Sequence, residues 1–501
     1  MKKVRCTTAL AATTLLLAAT PSALAGGVSC DGRPATIVGT QGRDTLVGTA
    51  GSDVIAGLDG ADHIKGLNGR DALCGDDGND RLGGGGGRDR ILGGAGDDLT
   101  RGRSGPDSIE GGAGDDQALG GVGRDTMAGD AGNDDLNGGQ DQNTLTYAGA
   151  PNGVDVDLTE GSATGEGQDT IQYFERLIGS PHDDVLGGHF DSTWFVSTAG
   201  NDEYNGLSHA WDQVSYATAD QAITADAELG TATGHGSDTL SGIDGLVGSD
   251  FDDTLRLGEL REGVQGHLQG GAGDDDLAGG DQTDGIEAGA GDDVVNTLGG
   301  DDFVYPGAGN DDISTGGGHD QVSFSTETEP DDDTVDGGPG ATDMLAYNMT
   351  AGPVSVDLAA GVGTGQGGTD SFSNVEAVWG TESTDELRGN EEDNFLGGGY
   401  GEDDLLEGRG GADTLHAIHS SSIVALGGEG ADDIEGGPQT DEVSGGPGND
   451  TIRGDEGNDD LQGEAGDDDL NGGDGIDDLD GGADVDVCRN GETLANCEST
   501  S

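Results

Sequence analysis

Residues 39–83 read GTQGRDTLV, GTAGSDVIA, GLDGADHIK, GLNGRDALC and GDDGNDRLG. Each unit of nine opens on Gly, repeats Gly at place four, sets Asp at place six and puts a large apolar residue at place eight. The opening glycine returns at every ninth residue from Gly39 to Gly138. Place six is Asp in eleven successive units: Asp44, Asp53, Asp62, Asp71, Asp80, Asp89, Asp98, Asp107, Asp116, Asp125 and Asp134. Place eight runs Leu46, Ile55, Ile64, Leu73, Leu82, Ile91, Ile109, Met127, Leu136 and Leu145, with Thr100 and Ala118 as exceptions. The register returns twice. Asp275, Asp284, Asp293, Asp302, Asp311 and Asp320 form a second run, and Asp432, Asp441, Asp450, Asp459, Asp468 and Asp477 a third. A fixed short period signals a solenoid, in which one supersecondary unit stacks on the next.

The composition excludes most alternatives. Of 501 residues, 103 are Gly and 100 are Asp or Glu, against 20 Lys or Arg, giving a net charge of −80. Aromatic residues are 4%, too few for ordinary globular cores at this length. The charge excludes nucleic acid as a partner, since phosphate binding needs clustered cations. Low apolar content with high charge describes a disordered chain, unless the glycines and aspartates are ordered along it, as they are here.

The unit G-G-x-G-x-D-x-U-x, with U large and apolar, resembles the calcium-binding nonapeptide of RTX (haemolysin-type) proteins. GGAGDDQAL from Gly111, GGPGNDTIR from Gly445 and GGDGIDDLD from Gly472 carry it closely. The resemblance implies an all-β fold, a right-handed parallel β-roll. Places one to six would form a turn holding Ca²⁺, places seven to nine a short strand, and two units one coil. The residue chemistry agrees. Ca²⁺ takes 6–8 oxygens from carboxylates and carbonyls, glycine lets the backbone adopt positive φ, and Asp at place six offers a short carboxylate. Place eight points inward while seven and nine point out. One inward aliphatic per nine residues is a thin core against the entropy of ordering them, and self-repulsion opposes compaction. Metal is therefore expected to complete the fold, with a disordered metal-free chain, an ordered calcium form and about 15–25 ions.

A second repeat interrupts the nonads. It runs from Tyr147 to Gly179, Tyr216 to Gly248 and Tyr347 to Gly380. Each copy has an Asp ten residues after the Tyr (Asp157, Asp226, Asp357), a later Asp (Asp169, Asp238, Asp370) and an acid before the closing Gly (Glu175, Asp244, Glu376). These read as modified coils that extend the solenoid, and Val154–Leu158 alternates like a strand. Residues 189–216 hold Phe190, Trp194, Phe195, Tyr204, Trp211 and Tyr216, read as a small local core, with an aromatic platform for sugar as the alternative. His189, Asp191 and His209 lack a metal spacing, and His416 with His419 reads as a solvated loop.

Lys2, Lys3 and Arg5, the apolar run Leu10–Ala19 and Ala23-Leu24-Ala25 read as a cleaved secretory signal. The run is too short to span a membrane. Four further cysteines, Cys30, Cys74, Cys488 and Cys497, allow three pairings. Their placement favours Cys30–Cys74 and Cys488–Cys497 as staples near the two ends. The nonad register breaks at Asp484, where Gly is expected, so the remainder reads as a cap.

The expected organisation is a signal (1–25), an N-terminal cap with the first array (26–146), spacer repeats with the aromatic segment (147–265), a second array (266–342), a third spacer (343–380), a third array (381–487) and a disulfide cap (488–501). No HExxH, G-x-S-x-G or phosphate-loop motif occurs. The sequence thus reads as a secreted, non-enzymatic, calcium-binding structural or surface-interaction protein. The alternatives are a calcium-dependent adhesin taking an extracellular polysaccharide or cell surface as partner and, last, a polysaccharide-acting enzyme.

Overall fold

The computed structural model describes residues 27–500, apart from 208–209, 262, 326–330, 341, 366–367, 402 and 418–421. The predicted signal, His209 and His419 lie outside the described residues. Every described regular element is a β-strand, and the whole is a parallel β-solenoid of about 25 turns.

Two nonads close one coil. Strands eighteen residues apart stack in parallel, as His63–Asn68 does on Arg81–Gly86 and Ala72–Asp77 on Arg90–Ala95. Two long sheets result. One starts at Thr45–Val47 and runs to Thr493–Ala495; the other starts at Ile37–Val38 and runs to Ser499–Thr500. Place eight faces inward throughout: Ile91 lies beside Ile109, which lies beside Met127, and all three are buried. Thr100 occupies an inward place with its hydroxyl buried and unpartnered.

Strand pairing runs further than the three residues expected. In the first array it spans six, reaching through the turn glycines, so that Leu67 pairs with Gly85 and Asn68 with Gly86. The turns are hydrogen-bonded to each other as well: Gly60 N donates to Asp77 O, and Gly78 N to Ala95 O.

The spacers extend the solenoid and depart from a purely parallel ladder. In the first spacer, Ser162–Thr164 lies antiparallel between Asp155–Asp157 and Gln168–Gln172. The two outer strands of this meander then pair in parallel with the coils on either side. The other two spacers repeat the plan with Thr231–Thr233 and Val362–Thr364 at their centres. The chain ends are stapled by Cys30–Cys74 and Cys488–Cys497. Cys488 occupies an inward place eight of a further coil. The register therefore does not break at Asp484, whose φ of 87° takes up the turn conformation usually left to glycine.

Candidate metal centres

Place six forms a continuous ladder. The N–H of most of these aspartates donates to Oδ1 of the aspartate one coil on, as Asp71 to Asp89 at 2.9 Å, Asp98 to Asp116 at 2.7 Å and Asp107 to Asp125 at 2.8 Å, while Asp125 donates to Asn143 Oδ1 at 3.0 Å and Asp477 to Glu492 Oε2 at 2.7 Å. Asp275 to Asp293 and Asp450 to Asp468, both at 2.8 Å, continue it in the later arrays. The bond fixes the carboxyl plane and leaves Oδ2 aimed into the turn. Of the predicted residues, Asp44 alone is not buried.

The second oxygen is what the arrays leave unsatisfied. Oδ2 is buried without a hydrogen-bond partner in Asp62, Asp71, Asp80, Asp89, Asp98, Asp107, Asp116, Asp125 and Asp134. The same holds for Asp275, Asp293, Asp302 and Asp320, and for Asp432, Asp441, Asp450, Asp459, Asp468 and Asp477. In Asp284 the orphan is Oδ1, because Gly280 N donates to Oδ2 at 2.7 Å. A buried anionic oxygen without a partner is costly, and so regular a row of them needs a cation. The surroundings suit one. A methyl group on Gly93 would stand 2.2 Å from the Gly111 carbonyl oxygen and 2.5 Å from Asp98 Oδ2, and Gly75 and Gly120 are placed alike. Carbonyl and carboxylate oxygens thus converge on a space that glycine leaves open at place one, although Thr297 and Thr315 stand there in the Asp302 and Asp320 turns. Among the described residues no three His, Cys, Asp or Glu side chains gather into a cluster. Ligation here must draw on backbone carbonyls, which suits hard Ca²⁺ and not zinc.

Electrostatics points the same way. Burial pushes the Asp98 carboxyl up to about 7, against the hydrogen bond from Asp80 N–H and aided by Asp116, Asp80 and Asp97. Burial also drives Asp107 to about 7 and Asp134 to about 8. A cation in the turn would reverse this desolvation and keep the carboxylates charged.

Asp343, Asp404, Asp413 and Asp486 show the same buried orphan oxygen and fall outside the predicted runs. Asp413 follows Gly408 in perfect nonad phase and was findable. Asp404 and Asp343 close turns one residue longer than the period. The nonad frame would have chosen Asp403, which instead takes φ 63°. Asp486 was hidden by Asp484.

The spacer acids form another constellation. Tyr147, Tyr216 and Tyr347 hydroxyls donate to Oδ2 of Asp169, Asp238 and Asp370 at 2.9, 3.0 and 3.0 Å. Asp157 and Asp226 accept nearby turn amides, and Asp357 is clamped by Arg409 at 2.9 and 2.7 Å. Glu175 and Glu376 accept the amides of Asn143 and Asp343, and Asp244 pairs with Arg261. Every one of these acids has a protein donor. In the aromatic segment Phe195, Tyr204 and Tyr216 are buried, whereas Phe190 and Trp194 are exposed. His416 Nε2 meets Glu435.

A family model described as RTX calcium-binding nonapeptide repeat (4 copies) matches residues 38–73, 75–109, 110–145, 267–286, 287–322, 379–415, 426–461 and 453–488. Together these are just over half of the chain. The chain belongs to the RTX calcium-binding nonapeptide-repeat family. Its repeats bind calcium and build the structure they are part of. The matched segments of this RTX protein are the stretches where orphan carboxylate oxygens recur. No curated protein matches the chain. Among the described residues no helix is long and apolar enough to cross a membrane.

Proposed function

We propose that this RTX protein is secreted and acts without catalysis, as a calcium-ordered rod with a structural or surface-interaction role. Its proposed ligands are the place-six aspartates of the three arrays other than Asp44 and Asp53, joined by Asp343, Asp404, Asp413 and Asp486. The observation that carries the reading is the row of buried, unpartnered Oδ2 atoms facing glycine carbonyls. Calcium bound there supplies charge neutralisation and oxygen ligation, and coil closure is coupled to it. The division into arrays (26–146, 266–342, 381–487) and spacers (147–265, 343–380) then separates coils that need the ion from coils with donors of their own. Circular dichroism during a calcium titration, with stoichiometry, tests this. A rise in β signal with about 15–25 ions is expected, and no rise at millimolar Ca²⁺ would defeat it.

A second reading has one specific observation behind it. Trp194 and Trp379 lie on the outward face of the same sheet, and Trp211 stands just before its strand Asp212–Ser215. Trp194 stands beneath Arg176, Trp211 rests against Gly245, and Trp379 stacks near-parallel to Phe395 over Gly397. Aromatic faces of this kind suit the C–H surfaces of a polysaccharide. Glycan pull-down lost on Trp194→Ala or Trp211→Ala would support the adhesin reading; retention of an unchanged pull-down would remove it.

A further inference from the structure

Among the described residues, five place-six aspartates accept both an amide and a hydroxyl from the residue at place two. Thr40 N and Oγ1 donate to Asp44 Oδ2 at 2.6 and 2.8 Å, and Thr49 N and Oγ1 to Asp53 Oδ2 at 2.5 and 3.0 Å. Ser180 N reaches Asp184 Oδ2 at 2.7 Å and its hydroxyl Oδ1 at 2.6 Å. Ser249 N reaches Asp253 Oδ2 at 2.5 Å and its hydroxyl Oδ1 at 2.9 Å. Thr381 N reaches Asp385 Oδ2 at 2.6 Å and its hydroxyl Oδ1 at 3.0 Å. In each case the donor is the residue at place two.

We infer that a hydroxyl at place two decides against calcium, so that these five turns close without an ion. The inference rests on the reading that the other place-six aspartates take one.

The backbone supplies an independent observation. In array turns place two is left-handed even where it is not glycine, as at Leu58 (φ 75°), Leu67 (85°), Arg103 (89°) and Arg409 (77°), with Gly280 in the Asp284 turn as the exception. None of Thr40, Thr49, Ser180, Ser249 or Thr381 takes positive φ. Place four changes with it. In the three hydroxyl turns of the chain's interior, place four is His182, Phe251 and Ser383. Their amides donate to the place-two hydroxyl at 3.1, 3.3 and 2.9 Å. The place-one glycine is crowded alike in both kinds of turn, as at Gly248; the difference lies at place two.

Position along the chain gives the device a purpose. Gly179, Gly248 and Gly380, which close the three spacers, each open a hydroxyl turn, and Thr40 and Thr49 open the first array. Every resumption of the nonads therefore begins on a turn that is complete without metal. Such a turn presents the next coil with a finished edge, and the ion-dependent coils stack on it.

Ion counting by native mass spectrometry on the full chain tests this. Leu67 is a partly exposed place-two residue already at positive φ, and Asp71 in its turn holds an orphan oxygen. Leu67→Thr is expected to bind one calcium fewer than wild type, while Leu67→Val, branched but without a hydroxyl, keeps the full count. Thr49→Gly, which restores G-G-A-G-S-D, is expected to gain one ion, a result misfolding cannot mimic. A full count in Leu67→Thr, an equal loss in Leu67→Val, or no gain in Thr49→Gly would overturn the assignment while leaving calcium binding intact. A wild type that takes up no calcium would overturn both.

Discussion

The coils between Gly57 and Asp134 and those between Tyr147 and Asp253 share one ladder and differ in how they close it. In the array, each nonad buries one aliphatic side chain, reduced at Thr100 and Ala118 to very little. Its carboxylates take one amide each and leave the second oxygen bare. In the spacer region Tyr147, Phe174, Phe195, Tyr204 and Tyr216 fill the interior. There Oδ2 of Asp169, Asp202 and Asp238 receives a tyrosine hydroxyl, and Asp184 and Asp253 receive serine. The same aspartate is thus an ion ligand or a satisfied core acceptor, depending on its neighbours. The first kind of coil needs metal to fold; the second carries its own donors and a thicker apolar interior.

Chelation breaks this comparison most sharply. With calcium removed, amide exchange is expected to reach the unfolded rate across residues 57–134 and 432–477, while residues 147–253 keep protection. Uniform loss, or uniform retention, would show that the two regions do not differ.

Acid should undo part of the chelation effect. The carboxyls of Asp98, Asp107 and Asp134 stand at about 7, 7 and 8 in the fold because burial disfavours their charged form. In an unfolded chain they titrate near ~3.9. The folded state therefore binds more protons between these values, and the metal-free fold loses stability as pH rises from about 4 to about 8. Chelated protein at pH 5 is expected to show more β signal than at pH 7.5. Calcium competes with those protons, so its affinity should rise with pH over the same window. Equal dichroism at both pH values would contradict the burial of these groups.

Single substitutions act on a smaller scale. Gly448→Val would set a side-chain carbon 1.3 Å from the Gly430 carbonyl oxygen, a backbone atom that cannot step aside. A loss above ~3 kcal/mol in the calcium form is expected, since overpacking at a rigid site reaches that scale, with a weaker calcium midpoint in the third array. Unchanged calcium affinity would show the frame to be misassigned. On the spacer side, Tyr216→Phe removes the hydroxyl held by Asp238 at 3.0 Å. It should lower the urea midpoint of the chelated chain by an equivalent of about 1–3 kcal/mol, the cost of an orphaned buried acceptor. No change would mean that this region contributes nothing to metal-free stability.

The nine-residue phase of Gly39–Gly83 was enough to place the coil, the inward residue and the aspartate ladder, because in a solenoid period maps directly onto geometry. What it missed lies where a coil departs from that period. Asp404 and Asp343 sit in turns lengthened by one residue, and Asp484 adopts a glycine conformation, so counting selects the wrong residue or stops early. The pairing of Tyr147 with Asp169 depends on an antiparallel excursion of the chain, which local alternation does not reveal. The place-two hydroxyls were visible as letters in GTQGRD and GSPHDD, but their meaning comes from the direction of a backbone φ.

The smallest effect is also the most discriminating. Gly42 and Gly60 both occupy place four of the repeat and look equivalent in the sequence. Gly60 has φ 132° and lies against the Gly42 backbone, so any side chain there is strained twice over. Gly42 belongs to the hydroxyl turn of Thr40 and has open space where a Cβ would stand. Gly42→Val is therefore expected to shift the thermal midpoint by no more than about 0.5 kcal/mol equivalent, the range of an ordinary surface change, and to leave the calcium count intact. Gly60→Val should cost several times as much and weaken the turn of Asp62. If the two variants were equally damaging, place four would be a uniform requirement of the repeat, and the open position of Gly42 ahead of the first strand of its sheet, Thr45–Val47, would count for nothing.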